Sequence, residues 1–403
     1  MRFSDLKKLK EESATPRARK LPPPPPPPAE ERTAFEARCE EHAEPPEPAP
    51  AAPEKPPARE AAPPEPAKPP ERPTSQEKKA GKKPYRELEA EAREAYSRLL
   101  RQAAQYLKAS DEEYTEKYES IIALASATVN ALRENPVLLG LTAYSTADDY
   151  LRGHTANTFV LSLAMGMEAG LDQQELGLLG FCAMAHDAGM TSFSALYNTP
   201  GRLGEPELAE MTLHAEAGAA KLDRIVDLDY KVKDRARRIV LQVHERSDGS
   251  GYPDRLSSEE IDPLAQIIGI ADAYEAMSHQ RPWRDALPPH EAVRELIEKE
   301  GRGFNARPVK LLLACLSMYP PGSLIVLSTG ETARVLMPNR GLLTKPLVEI
   351  LLRQDLTPAE GQLADLKEHP LVSIEHPITP SELKGRNQKC AAKAELARWW
   401  VDW

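Results

Sequence analysis

The sequence predicts a mainly α-helical bundle with a small β-rich C-terminal appendage and a disordered, proline-rich N-terminal tail. Three observations carry that reading. Of the 39 prolines in 403 residues, 21 fall in residues 1–80, with an unbroken run from Pro22 to Pro28. From Tyr85 onward apolar residues recur three or four apart, the period of a helix buried on one face. After Tyr319-Pro320-Pro321-Gly322 the texture changes to short apolar runs separated by turn residues, which is a strand and hairpin pattern.

Taken in order, residues 1–84 are dominated by Pro, Ala, Glu, Lys and Arg. They hold too little apolar surface for a core and are expected to be disordered and partly polyproline II. A solvated spacer is the plain role for such a tail, and a docking segment for a proline-recognising partner the sharper one. Residues 85–136 should form a helical segment packing on the core. Its first helix places Leu88, Ala92, Ala95, Leu99, Ala103 and Tyr106 on one stripe; its second starts at a capping box, Ser110 with Glu113, and buries Tyr118, Ile121, Ala125, Val129 and Leu132. Asn135-Pro136 ends it. A homodimer seam is the alternative use of this stripe.

Residues 137–317 should form the main all-α domain, with Phe159, Leu163 and Met167 at helical spacing and breaks at Asn198-Thr199-Pro200-Gly201 and at Asp248 to Pro253. Residues 318–403 should form a small β-rich subdomain. Its hairpin runs from Leu324-Ile325-Val326-Leu327 through a Thr329-Gly330 turn to Thr332–Leu336, and Val348 to Leu352 is a further strand. Trp399, Trp400 and Trp403 would cover its apolar face.

The formal charge is −10. Residues 1–84 carry 17 basic and 15 acidic side chains, leaving −12 on the rest, which argues against a nucleic-acid polymer as partner. A phosphate ester could still bind if cations and a few placed arginines supplied the attraction. Cys39, Cys182, Cys315 and Cys390 show no paired spacing, so neither a disulfide framework nor a zinc knuckle is expected and a reducing compartment fits. Met1 to Lys10 has no apolar core of signal-peptide length, and no stretch of about 18 apolar residues occurs. The expected location is therefore cytoplasmic, without a membrane.

His154, His186 with Asp187, His214, His244 and Asp272 follow one another at gaps of 32, 28, 30 and 28 residues. Each gap is roughly a helix plus its connection, so a bundle could converge them on one point. A single histidine on an apolar helix is ordinarily a satisfied core residue, and His42, His279, His290, His369 and His376 fit no such pattern. Context lifts the set: His186-Asp187 ends an apolar stretch, and His244 precedes a glycine-rich loop. Imidazole beside carboxylate suits a borderline cation, and a carboxylate can bridge two.

The order His154-Thr155-Ala156-Asn157, His186-Asp187-Ala188-Gly189, His214, His244-Glu245-Arg246-Ser247-Asp248-Gly249-Ser250-Gly251-Tyr252-Pro253, Ile270-Ala271-Asp272-Ala273-Tyr274 and Arg281-Pro282-Trp283-Arg284 resembles the HD-GYP family of the HD superfamily over roughly residues 145–310. That resemblance implies a bacterial, metal-dependent phosphodiesterase that opens cyclic di-GMP to linear pGpG or GMP in second-messenger signalling. It implies catalytic roles for His186, Asp187 and Asp272 and a first metal position of His154, His186, Asp187 and Asp272, with Asp187 bridging to a second held by His214 and His244. One or two divalent transition ions follow, iron or manganese first. Arg281 and Arg284 would fork onto the phosphates, an ion pair with Glu275 or Asp285 being their alternative use. Gly251, Tyr252 and Pro253 would line the substrate or cap the His244 helix. A diguanylate cyclase or other signalling protein is the implied partner.

Three positions depart from the family pattern. Met190 stands where a lysine is usual, Val243 where the first of two histidines is usual, and Tyr150 where some members place a carboxylate that holds a third ion. Losses of this kind commonly cost about 10- to 100-fold in metal affinity or activity. The alternative function is accordingly a catalytically degenerate domain that binds cyclic di-GMP or docks a partner protein.

Overall fold

The computed structural model describes residues 83–110, 113–144, 150–197, 204–226, 228–281, 284–298 and 303–398. The proline-rich tail up to residue 82, the break at Asn198 to Gly201 and the terminal Trp399, Trp400 and Trp403 lie outside them. Helices α1 (Tyr85–Leu107) and α2 (Tyr114–Glu134) form along the stripes of the sequence. Their inward residues, among them Tyr96, Leu99, Ala103, Ile121 and Ala125, share one apolar cluster with the helices that follow. At the start of α2 the capping box is half made. The Glu113 carboxylate accepts from the Ser110 N–H at 2.7 Å and from its hydroxyl at 2.8 Å, while the Glu113 N–H goes to the Ser110 carbonyl.

Helices α3 (Tyr150–Glu168) and α4 (Gln173–Ala185) run through the middle of that cluster. Both bury residues all round, as expected of a helix enclosed by others. Fully buried rings such as Phe159 and Phe181 contribute roughly 2–3 kcal/mol each. Asp172 caps α4 by accepting from the Gln174 and Glu175 N–H groups, satisfying donors that a helix start leaves open.

Next come α5 (Glu205–Thr212), α6 (His214–Leu222), α7 (Tyr230–Gln242) and α8 (Pro263–Ser278). Asp262 caps α8 through the Leu264 N–H, with Pro263 at the first helical position, where its missing N–H costs nothing. Arg235 of α7 then joins Glu175 at 2.6 Å and Asp262 at 3.1 Å, fixing α7 between the starts of α4 and α8. Helices α9 (Pro289–Glu298) and α10 (Ala306–Leu316) complete the bundle. Among the described residues no helix is long and apolar enough to cross a membrane.

The C-terminal part is a five-stranded antiparallel sheet in the order β4-β3-β2-β1-β5, built from β1 (Leu324–Leu327), β2 (Thr332–Asn339), β3 (Leu342–Leu352), β4 (Pro358–Asp365) and β5 (Ile374–Ile378). The hairpin register pairs Leu324 with Arg334 and Val326 with Thr332. One face packs Ile325, Val335, Val348 and Ile350 together, and the other packs Leu324, Val326, Leu352 and Ile378 under Leu383 and Ala391. Those last two belong to helices α11 (Pro380–Arg386) and α12 (Gln388–Arg398), which the sequence reading left within a β-rich segment. Thr379 and Glu382 make a full capping box at α11.

Candidate metal centre

Four elements deliver imidazoles to one buried point. His154 lies on α3, His186 follows the last residue of α4, His214 opens α6, and His244 follows Val243 at the end of α7. Each is at most 6% exposed. The local backbone decides which nitrogen faces inward. His186 donates Nδ1–H to the Ala183 carbonyl at 2.8 Å, and His214 donates its Nδ1–H to the Met211 carbonyl. A carbonyl oxygen only accepts, so in the neutral rings Nε2 presents a lone pair. His154 places Nδ1 on the Glu275 carboxylate and likewise turns Nε2 inward.

These lone pairs meet one another. The Nε2 atoms of His154 and His186 are 3.3 Å apart, and those of His214 and His244 are 2.9 Å apart. Asp187 lies between the pairs: Oδ2 is 3.3 Å from His154 Nε2, and Oδ1 is 3.3 Å from His214 Nε2 and 3.5 Å from His244 Nε2. Oδ1 is buried without a hydrogen bond. Asp272 reaches the first pair through Oδ1, 3.3 Å from His154 Nε2, and the second through Oδ2, 3.6 Å from His244 Nδ1.

Such a gathering of acceptors calls for a cation. Around an ion with bonds of about 2.1 Å, neighbouring ligand atoms stand about 3.0 Å apart in octahedral and about 3.4 Å apart in tetrahedral geometry, which these separations match. Two sets offer ligand atoms within 4.8 Å of one another, His154 with His186 and Asp187, and Asp187 with His214 and His244. The residues therefore fit two metal positions sharing Asp187. Electrostatics agree. Burial alone would raise the Asp187 and Asp272 carboxyls, but the surrounding imidazoles hold both well below the usual carboxylate range. Burial works to neutralise His154 and His244 too, yet Tyr150 and Glu275 at the first and Asp187 and Asp272 at the second push both above the ordinary histidine value, so a proton takes the cation's place on these rings when no metal is bound; at His186 burial wins and lowers the value.

Glu275 anchors the first position, one turn beyond Asp272 on α8. Besides His154 it accepts from Asn157 Nδ2 at 3.1 Å, and Asn157 Oδ1 in turn accepts from the Tyr96 hydroxyl at 2.5 Å. The carboxyl is buried, which would raise it, but His279, His154 and Arg281 hold it low. A carboxylate behind a ligand histidine fixes ring orientation and basicity. From sequence alone Glu275 is an ion-pair partner for an arginine; its spacing of three from Asp272, which places both on one face of α8, is the signal for its second role.

His244 is held differently. Its ring lies flat against Tyr252, with centroids 5.1 Å apart and planes 12° apart. Tyr252 is kept there by the loop, and the loop by Glu245, whose carboxylate accepts from the N–H groups of Asp254, Arg255 and Leu256 at 2.7–3.0 Å. Gly251 makes the return possible, since a Cβ there would stand 2.4 Å from Arg246 N. Its close approach is thus to the backbone just beyond α7. Glu245→Ala is expected to leave three backbone donors without their acceptor, lowering stability by about 2 kcal/mol and opening residues 248–256 to protease. Urea unfolding and limited proteolysis check this.

Arg281 is buried with its guanidinium 4.7 Å over the Tyr150 ring and 3.9 Å from Glu275. The ion pair weighed as an alternative therefore exists, inside the site. Arg284 exchanges two backbone hydrogen bonds with Arg281 and its side chain is half-buried. Met190 packs with Leu107, Leu151 and Met211, and Val243 lies in the main apolar cluster at 1% exposure. Met190 and Val243, two of the three departures from the family pattern, are accommodated as core residues.

Comparison with known proteins agrees with this geometry. Residues 143–306 match the family model of the HD domain. The chain is 29% identical over 241 residues to cyclic di-GMP phosphodiesterase PA4108 of Pseudomonas aeruginosa, covering 59% of this chain and 57% of that protein. It is 32% identical over 145 residues to 3'3'-cGAMP-specific phosphodiesterase 2 of Vibrio cholerae, covering 36% and 27%. It is 33% identical over 147 residues to the cyclic di-GMP phosphodiesterase response regulator RpfG of Xanthomonas campestris, covering 36% and 38%. The chain thus spans little more than half the length of the first of these relatives and less of the others. Within that span, the chain is similar to HD-domain proteins and to the cyclic dinucleotide phosphodiesterases named here.

Proposed function

We propose that the centre is the active site of a metal-dependent phosphodiesterase that hydrolyses cyclic di-GMP to linear pGpG or GMP, in bacterial second-messenger signalling in the cytoplasm. The observation that carries this reading is the pair of ligand sets meeting at Asp187. Histidine and carboxylate donors suit iron or manganese, one or two ions per chain.

With divalent cations bound, the centre supplies a water of lowered pKa and positive charge facing the phosphate oxygens. The residues do the rest. Asp187 turns one oxygen to each position and keeps the two sets at fixed separation. Asp272 adds an oxygen to the first set from the side of α8 and faces His244 at the outward nitrogen, Nδ1, while His186, tied to Ala183, presents a ready lone pair. Glu275 keeps His154 aimed inward. Arg281 adds the fixed positive charge that the carboxylates of the site otherwise lack, and its planar fork matches a phosphate. Arg284 and the Gly251-Tyr252-Pro253 loop form the rest of the substrate-facing rim in this reading.

Protein reconstituted anaerobically with iron(II) or manganese(II) is expected to convert cyclic di-GMP to pGpG or GMP, followed by chromatography. Absence of turnover with every divalent metal tried sinks the proposal. Faster cleavage of 3'3'-cGAMP under the same conditions would change the substrate and leave the reaction class standing.

A further inference from the structure

Tyr150 belongs neither to the ligand sets nor to the arginine pair, yet it touches both. Its ring stacks on that of His154, with centroids 5.6 Å apart and planes 23° apart, and the Arg281 guanidinium sits over it at 4.7 Å. Around it stand Met190, Leu151 and Met211, with Tyr197 beside it at 6.4 Å. This is an apolar wall, and the Arg281 guanidinium lies against its aromatic member.

We infer that Tyr150 is a positioning residue for phosphate recognition: its ring seats the Arg281 guanidinium at a fixed place relative to His154. The inference rests on the reading of this centre as a phosphodiester site, and concerns how the phosphate is met. An arginine side chain has several rotatable bonds, and Glu275, 3.9 Å away, attracts it toward the protein interior. A flat aromatic face on which a desolvated guanidinium rests confines it to one plane. Because the same ring packs on His154, that plane is fixed relative to the metal ligands. The wall of Met190, Leu151 and Met211 keeps the ring from turning. Met190 thereby acquires a use: it supplies the packing that holds Tyr150 flat.

The test uses the full chain loaded with manganese(II), with inorganic phosphate as the probe. Calorimetry gives the phosphate Kd, elemental analysis the metal per chain, and thermal melting the fold. Tyr150→Phe keeps the ring face and should bind phosphate within about twofold of the parent. Tyr150→Met removes the face and should weaken phosphate binding about 30-fold, the size of a desolvated cation–π contact, with metal content unchanged. Arg281→Met should show a loss at least as large, and the double variant Tyr150→Met/Arg281→Met should lose no more than Arg281→Met alone, since the two act as one unit. With cyclic di-GMP, Tyr150→Met should raise KM more than it lowers kcat.

Additive losses in the double variant overturn the inference. So does loss of metal from Tyr150→Met, which would place the ring's role at His154, and so does failure of Tyr150→Phe to retain phosphate binding while it remains folded. If the parent binds phosphate in this Tyr150-dependent way but cleaves no cyclic dinucleotide, the proposed activity falls and the positioning role stands.

Discussion

Asp187→Asn is expected to empty the second metal position and to reduce phosphodiester cleavage by at least about 100-fold, the upper range for loss of a group that holds a metal. The substitution keeps the shape and removes the charge. In the parent, one oxygen of Asp187 faces His154 and the other faces His214 and His244, and the carboxyl stays ionised because those imidazoles outweigh its burial. An asparagine offers one neutral oxygen and an amide whose hydrogens point at one of the two sets. His154→Ala should be less severe, because it depletes one position only. Elemental analysis of metal per chain, measured beside turnover, separates the two: Asp187→Asn retaining full metal would remove Asp187 from its bridging role.

Gly189→Ala is expected to cost about 3 kcal/mol of stability, the upper end for a methyl forced into a filled space, and to lower metal content with it. A Cβ at this position would stand 2.0 Å from the His214 carbonyl oxygen and 2.5 Å from the Gly218 nitrogen. Both atoms are backbone of α6 and cannot swing aside. Since His214 is one of the displaced residues, the strain acts on a candidate ligand and not only on packing. Urea unfolding with and without manganese(II) checks it: a variant within about 0.5 kcal/mol of the parent would show that α6 can shift without consequence.

The helical bundle and the ligand string were legible because both are periodic. Apolar spacing of three or four marked α1 and α2, and nearly even gaps marked four histidines that the fold gathers, each within 3.7 Å of Asp187 or Asp272. What stayed hidden depends on contacts between distant segments. Nothing near Glu245 in sequence shows that its carboxylate will gather three N–H groups from residues 254–256. Val243 was read as a vacancy among the ligands, and its neighbours Ile239 and Val240 already pointed to the packed position that the structure shows. Helices α11 and α12 were missed because α12 is short, alanine-rich and without a strong apolar stripe, so the sheet face it covers, not its own sequence, defines it. Arg281 and Tyr150 meet across 131 positions of chain, a distance at which local pattern is silent.

The pairing of α3 with α8 also sets where this chain can change length. His154 and Asn157 are three apart on α3, and Asp272 and Glu275 are three apart on α8, with His154 meeting both carboxylates and Asn157 meeting Glu275. One residue inserted between Asp272 and Glu275 would rotate one of them by about 100° around the helix, leaving ligand and anchor on different faces. Between His214 and His244, or between His244 and Asp272, the chain passes through loops that can take up an extra residue without turning a helix. Natural variation in length should therefore collect in the intervals between the ligands and be absent within these two helical turns, so that the separations along the string are free to drift while the two short spacings are not.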